Sequence, residues 1–153
     1  MKGNFEPSLV LVLTFEGGFS DHPADPGGET MKGVTLTTFR HYFGAHATKA
    51  DLLAITDAQL QRVYRTYWDA CGCDSLPSGL DLAVFDFAIN SGPSQARKLL
   101  SKARTIEGLC DARLAFLRHL PTWGHFGKGW QRRVDDVRDS ALAMALSELP
   151  DHH

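Results

Sequence analysis

Glu16 ends an apolar segment, Leu9-Val10-Leu11-Val12-Leu13, and opens onto a loop dense in turn-forming and acidic residues: Gly17-Gly18, Asp21, Asp25-Pro26-Gly27-Gly28, Glu29 and Thr30. If the segment is helical, Leu9, Val12, Leu13 and Glu16 fall at i, i+3, i+4 and i+7, so the carboxyl shares a face with apolar side chains. Taking a carboxyl out of water disfavours its charged form, and a carboxyl that keeps its proton near neutral pH suits general acid catalysis. Position alone favours a helix-end glutamate turned to solvent. The loop shifts that balance, because Asp25 follows nine residues on and Thr30 five after that, supplying a carboxylate in wetter surroundings and a hydroxyl. Asp21 competes with Asp25 for the carboxylate role, and Asp25, which precedes Pro26-Gly27, could simply shape a turn.

The elements that must position these groups read as helix after helix. Leu36 to Phe43 is short and amphipathic, and Thr56-Asp57-Ala58-Gln59 has the form of a capping box that opens a helix to about Cys71. On that helix Leu60, Val63, Tyr64, Tyr67 and Trp68 make an apolar stripe and read as core. Leu80 to about Asn90 is a further helix, stopped by Asn90-Ser91-Gly92-Pro93. Ser94 to about Ala103, Thr105 to about Leu120 and Gly129 to about Leu149 follow. No convincing period-2 alternation appears, so the expected fold is mainly α with a small loop or β-hairpin lobe near residues 19–34. Trp123 and Trp130, flanked by Gly124, Gly127 and Gly129, are better placed than Trp68 to be exposed for stacking on a ligand.

The 153 residues have an ordinary globular composition, 43% hydrophobic and 22% charged. Residues 1–90 carry 6 Lys+Arg against 11 Asp+Glu and residues 91–153 carry 10 against 7, so the second part is the basic one. Arg97, Lys98, Lys102 and Arg104, with Arg132 and Arg133, suit either an anionic polymer or a plain solvated surface; no motif of nucleic-acid recognition accompanies them. Cys71, Cys73 and Cys110 are odd in number, which fits a reducing compartment, and with His41 and His46 they lack metal-ligand spacing. The amino-terminal apolar run is too short for a membrane span, and Glu16 stands where a signal-peptide cleavage site would need small residues. Synthesis in a reducing compartment without a signal peptide is the expectation.

Glu16-Gly17-Gly18-Phe19-Ser20-Asp21-His22-Pro23, Asp25-Pro26-Gly27-Gly28-Glu29-Thr30 and Gly33-Val34-Thr35 resemble the amino-terminal signature of glycoside hydrolase family 108. Tyr64-Arg65, Tyr67-Trp68, Cys73-Asp74, Leu76-Pro77 and Val84-Phe85-Asp86-Phe87-Ala88 with Asn90-Ser91-Gly92 extend the likeness; Ser101 departs from the family, which has glutamine there. The resemblance implies a lysozyme-like helical fold, a glycosidase module over 1–91 and a helical peptidoglycan-binding-like module over 92–153, packed as one compact unit. It implies an N-acetylmuramidase of the kind found in bacteriophage endolysins and in secretion-associated muramidases. The Glu16, Asp25 and Thr30 spacing is also similar to that of phage-type lysozymes, with their glutamate at a helix end and an aspartate and threonine across a hairpin lobe.

Hydrolysis of a glycosidic bond requires protonation of the leaving oxygen, stabilisation of an oxocarbenium-like centre and delivery of water. On this reading Glu16 is the acid, Asp25 or Asp21 the ionised carboxylate, and Thr30 holds the water. Asp21, Gly28, Thr35 and Asn90 contact the substrate, the glycines letting backbone approach the sugar. No metal or organic cofactor is implied. The expected partners are peptidoglycan glycan strands and a holin or secretion system for release to the periplasm and cell wall; no nucleic-acid partner or membrane insertion is expected, and the chain is expected to be monomeric. A lytic transglycosylase and a non-catalytic wall-binding protein are the alternatives. The first would need little from Asp25, and the second would bind without Glu16.

Overall fold

In the computed structural model the described residues are 1–16, 19–20 and 30–148. Asp21, Asp25 and Gly28 therefore lie outside the described residues. The order of elements is α1 (Phe5–Glu16), β1 (Phe19–Ser20), β2 (Thr30–Met31), β3 (Val34–Thr35), α2 (Leu36–Phe43), α3 (Lys49–Leu53), α4 (Asp57–Ala70), a 3-10 turn (Cys73–Ser75), α5 (Leu80–Ser91), α6 (Pro93–Leu100), α7 (Ile106–Arg118) and α8 (Trp123–Ser147). The expected mainly α architecture, with a small β lobe, is the observed one. Among the described residues no helix is long and apolar enough to cross a membrane.

Local signals account for most helix ends. Thr56 and Gln59 form the capping box read from sequence, with Gln59 N–H donating to Thr56 Oγ1 at 3.2 Å and Thr56 N–H donating to Gln59 Oε1 at 2.9 Å. A second box, Thr48 with Asp51, opens α3, a helix the sequence reading did not include. Helix α1 begins at Phe5, ahead of the apolar run, and takes Pro7 into its first turn, where a missing N–H costs no helical bond. Helix α8 starts six residues before the expected Gly129, so Gly124, Gly127 and Gly129 are helical. At Gly127 the reason is packing: a Cβ there would lie 2.5 Å from the Trp123 ring, which folds over the glycine one turn away.

The chain divides into two compact units, Leu9–Tyr64 and Met1–Ser8 with Arg65–His153. In the Leu9–Tyr64 unit the strands form one antiparallel sheet in the order β1-β2-β3, with Phe19 opposite Met31, Ser20 opposite Thr30, Thr30 opposite Thr35 and Met31 opposite Val34. Helix α2 packs on β3 and on α3. The buried side chains of this unit include Val12, Val34, Phe39, Leu52, Leu60 and Val63.

In the larger unit α5 is the centre, buried from Leu80 through Ala88, with α6, α7 and α8 packed against it. A helix apolar around its whole circumference belongs in the middle of a bundle. Phe5, Trp68 and Phe85 form an aromatic cluster with ring centroids 5.2–5.8 Å apart, and the Trp68 indole donates to Asp74 at 2.9 Å. Trp68 is fully buried, as its place on the apolar stripe indicated.

Two acid groups, Asp81 and Asp86, break that apolar run. Asp86, wholly buried on α5, accepts from Arg113 of α7 at 2.7 Å and from Arg133 of α8 at 2.8 Å. Burial by itself would push the Asp86 carboxyl up, but the two guanidinium charges and their hydrogen bonds outweigh it and hold the carboxyl below the usual carboxylate range. Arg113 also lies over the Phe87 ring, 5.4 Å from its centroid. Arg133, read from sequence as part of a basic surface cluster, is thus bound to a core carboxylate. Cys71, Cys73 and Cys110 are free and buried, and burial pushes all three thiols up, away from the reactive thiolate form.

Candidate active site

Glu16 is the last residue of α1 and is half-buried rather than sealed among leucines. Leu9 and Val12 of its helical face are buried, whereas Leu13 and Glu16 reach the edge of the unit. What lies against the carboxyl is the tip of the β2–β3 hairpin. Lys32 and Gly33 form that two-residue tip, with φ of 50° and 83°, the sign pattern of a type I′ turn. A Cβ on Gly33 would fall 2.8 Å from Glu16 Cδ and 2.8 Å from Glu16 Oε2, so the absence of a side chain leaves the carboxyl its room. The same Cβ would fall 2.5 Å from the hydroxyl of Tyr64.

Tyr64 comes from α4 and is buried, with its hydroxyl donating to the Lys32 carbonyl at 2.5 Å. Three segments of the Leu9–Tyr64 unit therefore converge on one glycine: the end of α1, the hairpin tip and α4. The sequence reading placed Tyr64 in the core stripe, which is correct for its ring but silent on its hydroxyl. The signal available was chemical, since a buried tyrosine hydroxyl ordinarily finds a hydrogen-bond partner, but nothing in the sequence names that partner.

Thr30 is half-buried on β2 and pairs with Thr35 across the hairpin, which brings together two of the residues singled out from sequence. The Thr35 hydroxyl is engaged locally, accepting from Thr38 N–H at 3.0 Å as the N-cap of α2 and donating to the Thr38 hydroxyl at 2.9 Å. Asn90 belongs to the other unit, near the end of α5, where its side-chain oxygen accepts from Ser91 Oγ at 3.4 Å.

Elsewhere on the larger unit, Trp123, Phe126 and Trp130 form a half-buried aromatic row along α8, with Trp130 6.1 Å from Trp123 and 5.6 Å from Phe126. Beside it lies an open pocket of about 670 Å³ lined by Trp123, His125, Lys128, Gln131 and Arg132. Arg118 stacks over Trp123 with its guanidinium 6.0 Å from the ring centroid.

The helices and the small antiparallel sheet make a mainly α fold of the lysozyme-like class. The chain belongs to the family described as Glycosyl hydrolase 108, whose model matches residues 9–92, and so to the glycoside hydrolases. It is similar to a solved structure, that of SagA from Brucella abortus, at 40% sequence identity and a TM-score of 0.86, over 95% of this chain and 97% of that one. No curated protein matches the sequence. The family match contains Glu16, Lys32, Gly33, Tyr64 and Asn90, and it ends just before α6.

Proposed function

We propose that this chain is an N-acetylmuramidase that hydrolyses the β-1,4 bond between N-acetylmuramic acid and N-acetylglucosamine in peptidoglycan, with Glu16 as the general acid. The observation that carries this reading is a half-exposed carboxyl at a helix end, resting on a glycine at a hairpin tip, inside the span matched to a glycoside hydrolase family. A general acid must reach both the substrate and a proton source, and it gains from being held in one orientation.

Glu16 protonates the glycosidic oxygen as the bond to the leaving sugar breaks. Asp25 or Asp21, ionised, stabilises the positive charge that develops at the anomeric carbon or orients the attacking water. Thr30 helps to hold that water, and Thr35, opposite it in the hairpin, lines the same face. Water supplies its hydroxyl to the anomeric carbon and gives up the proton that replaces the one Glu16 passed to the leaving oxygen, so acid and water suffice for the reaction. Asp21, Gly28 and Asn90 contact the glycan. The part of the chain beyond residue 92 serves as the wall-binding module, with the Trp123 pocket as its glycan platform: an indole face suits the apolar face of a pyranose, and Lys128 and Arg132 suit carboxylates of the stem peptide. The enzyme acts on the cell wall as a monomer, released by a phage holin or a bacterial secretion system.

The test is mass spectrometry of products released from purified peptidoglycan by the parent chain and by Glu16→Gln at matched folding. Reducing muramic ends from the parent and none from the variant are expected. Anhydro-muramic ends would make the protein a lytic transglycosylase. If neither protein released products while both still bound the wall, only a binding role would survive.

A further inference from the structure

We infer that Tyr64 is a positioning residue for Glu16, acting through the Lys32–Gly33 turn; the inference rests on the proposal that Glu16 is the acid. Lys32 holds a positive φ of 50° although it is not glycine. Such a conformation is disfavoured for an L-residue with a Cβ and persists where its surroundings over-determine it. The Tyr64 hydroxyl supplies that constraint by donating to the Lys32 carbonyl at 2.5 Å. It does so from a side chain only 1% exposed, anchored in α4 among Leu60 and Val63. The turn is therefore held from beneath by a rigid group.

Gly33 transmits the constraint. Its Cα is flanked on one side by the Tyr64 hydroxyl and the Glu16 carboxyl together, as the 2.5 and 2.8 Å approaches of a notional Cβ measure. A displacement of the tip by a fraction of an ångström would either press on the carboxyl or leave it room to turn. In acid catalysis the geometry of the proton donor enters the rate directly, and a misplacement of about 1 Å can cost roughly a hundredfold. Ground-state binding of the glycan depends on other contacts. Loss of the Tyr64 hydroxyl should therefore appear in kcat and leave KM nearly unchanged.

The experiment compares Tyr64→Phe with the parent on soluble, uncrosslinked peptidoglycan strands, well below the melting temperature of either protein. Melting is recorded alongside by circular dichroism. Tyr64→Phe keeps the buried ring and deletes one hydroxyl. The expected result is a fall of about 10- to 100-fold in kcat with KM within about threefold. A kcat within about twofold of the parent overturns the inference, whether or not the melting temperature falls, because a purely structural hydroxyl would move only the latter. If Tyr64→Phe folds poorly, Gly33→Ala asks the same question from the other side of the turn, and unchanged kcat there is equally fatal. Glu16→Gln in parallel separates the two claims: if it retains activity, the assignment of the acid fails, whereas its inactivity beside a fully active Tyr64→Phe sinks only the positioning role.

Discussion

Two carboxylates, Glu16 and Asp86, are handled in opposite ways by the two compact units. Asp86 sits in the apolar heart of α5, fully buried, clasped by guanidinium groups from α7 and α8. Glu16 sits at the end of α1, half-exposed, its place set by the shape of a hairpin tip and by the tyrosine beneath it. Leaving a charge in a core requires partners that replace water, and once so paired the group is fixed in its ionised form. A group that must trade protons with a substrate has to stay at an edge, where geometry constrains it without sealing it. The buried ion cluster serves the architecture; the half-exposed glutamate is the one we propose for chemistry.

The sharpest way to break this comparison is to remove each carboxylate in turn. Glu16→Gln is expected to lower product release by about 10²- to 10⁴-fold, the usual range for loss of a general acid, with its unfolding curve in urea close to that of the parent. Asp86→Ala should do the reverse. It strands a fully buried Arg113, and stability measured by denaturant unfolding should fall by about 3–5 kcal/mol, while the folded fraction retains its kcat. If Asp86→Ala were as stable as the parent and inactive, the roles assigned to the two carboxylates would have to be exchanged.

Acid sharpens the same contrast. Because the folded-state carboxyl of Asp86 is held below its unfolded value of about 3.9, its contribution is fully present above that value and is lost as pH falls through the folded one. Stability of the parent should therefore decline more steeply below about pH 4 than that of Asp86→Asn, which has no such proton to take up; parallel slopes in urea titrations across pH would contradict this. A smaller effect is expected at the aromatic row of α8. Trp123→Ala should raise KM on peptidoglycan several-fold and leave kcat in place, and unaltered KM would remove the pocket from the substrate path.

How far the sequence could be read differs between these regions. The ends of α2, α4, α5 and α7 were legible because caps and stops are local: Thr56 with Gln59 and Gly92 with Pro93 act within a turn of where they stand. The start of α8 was misplaced because three glycines and Pro121 look like a loop, and only the packing of Trp123 over Gly127 makes glycine useful inside that helix. Glu16 could be singled out because an acid group at the end of an apolar segment stands out by type and position alone. Arg133 was assigned to a surface cluster for the converse reason, since its charge is plain in the sequence and the carboxylate it binds lies 47 residues away.

The residues by themselves determined the helical character, most of the caps, a small β lobe between α1 and α2, and a glutamate at the end of α1. Each of these rests on interactions between neighbours along the chain, where spacing alone decides who meets whom. Tertiary structure alone decided that Gly33 must lie beside Glu16, that the Tyr64 hydroxyl closes on Lys32 across 32 residues, and that Arg113 and Arg133 meet on Asp86. Those pairings depend on how the helices and the hairpin pack, and many arginines and carbonyls along the chain are chemically equivalent partners until the core excludes all but a few.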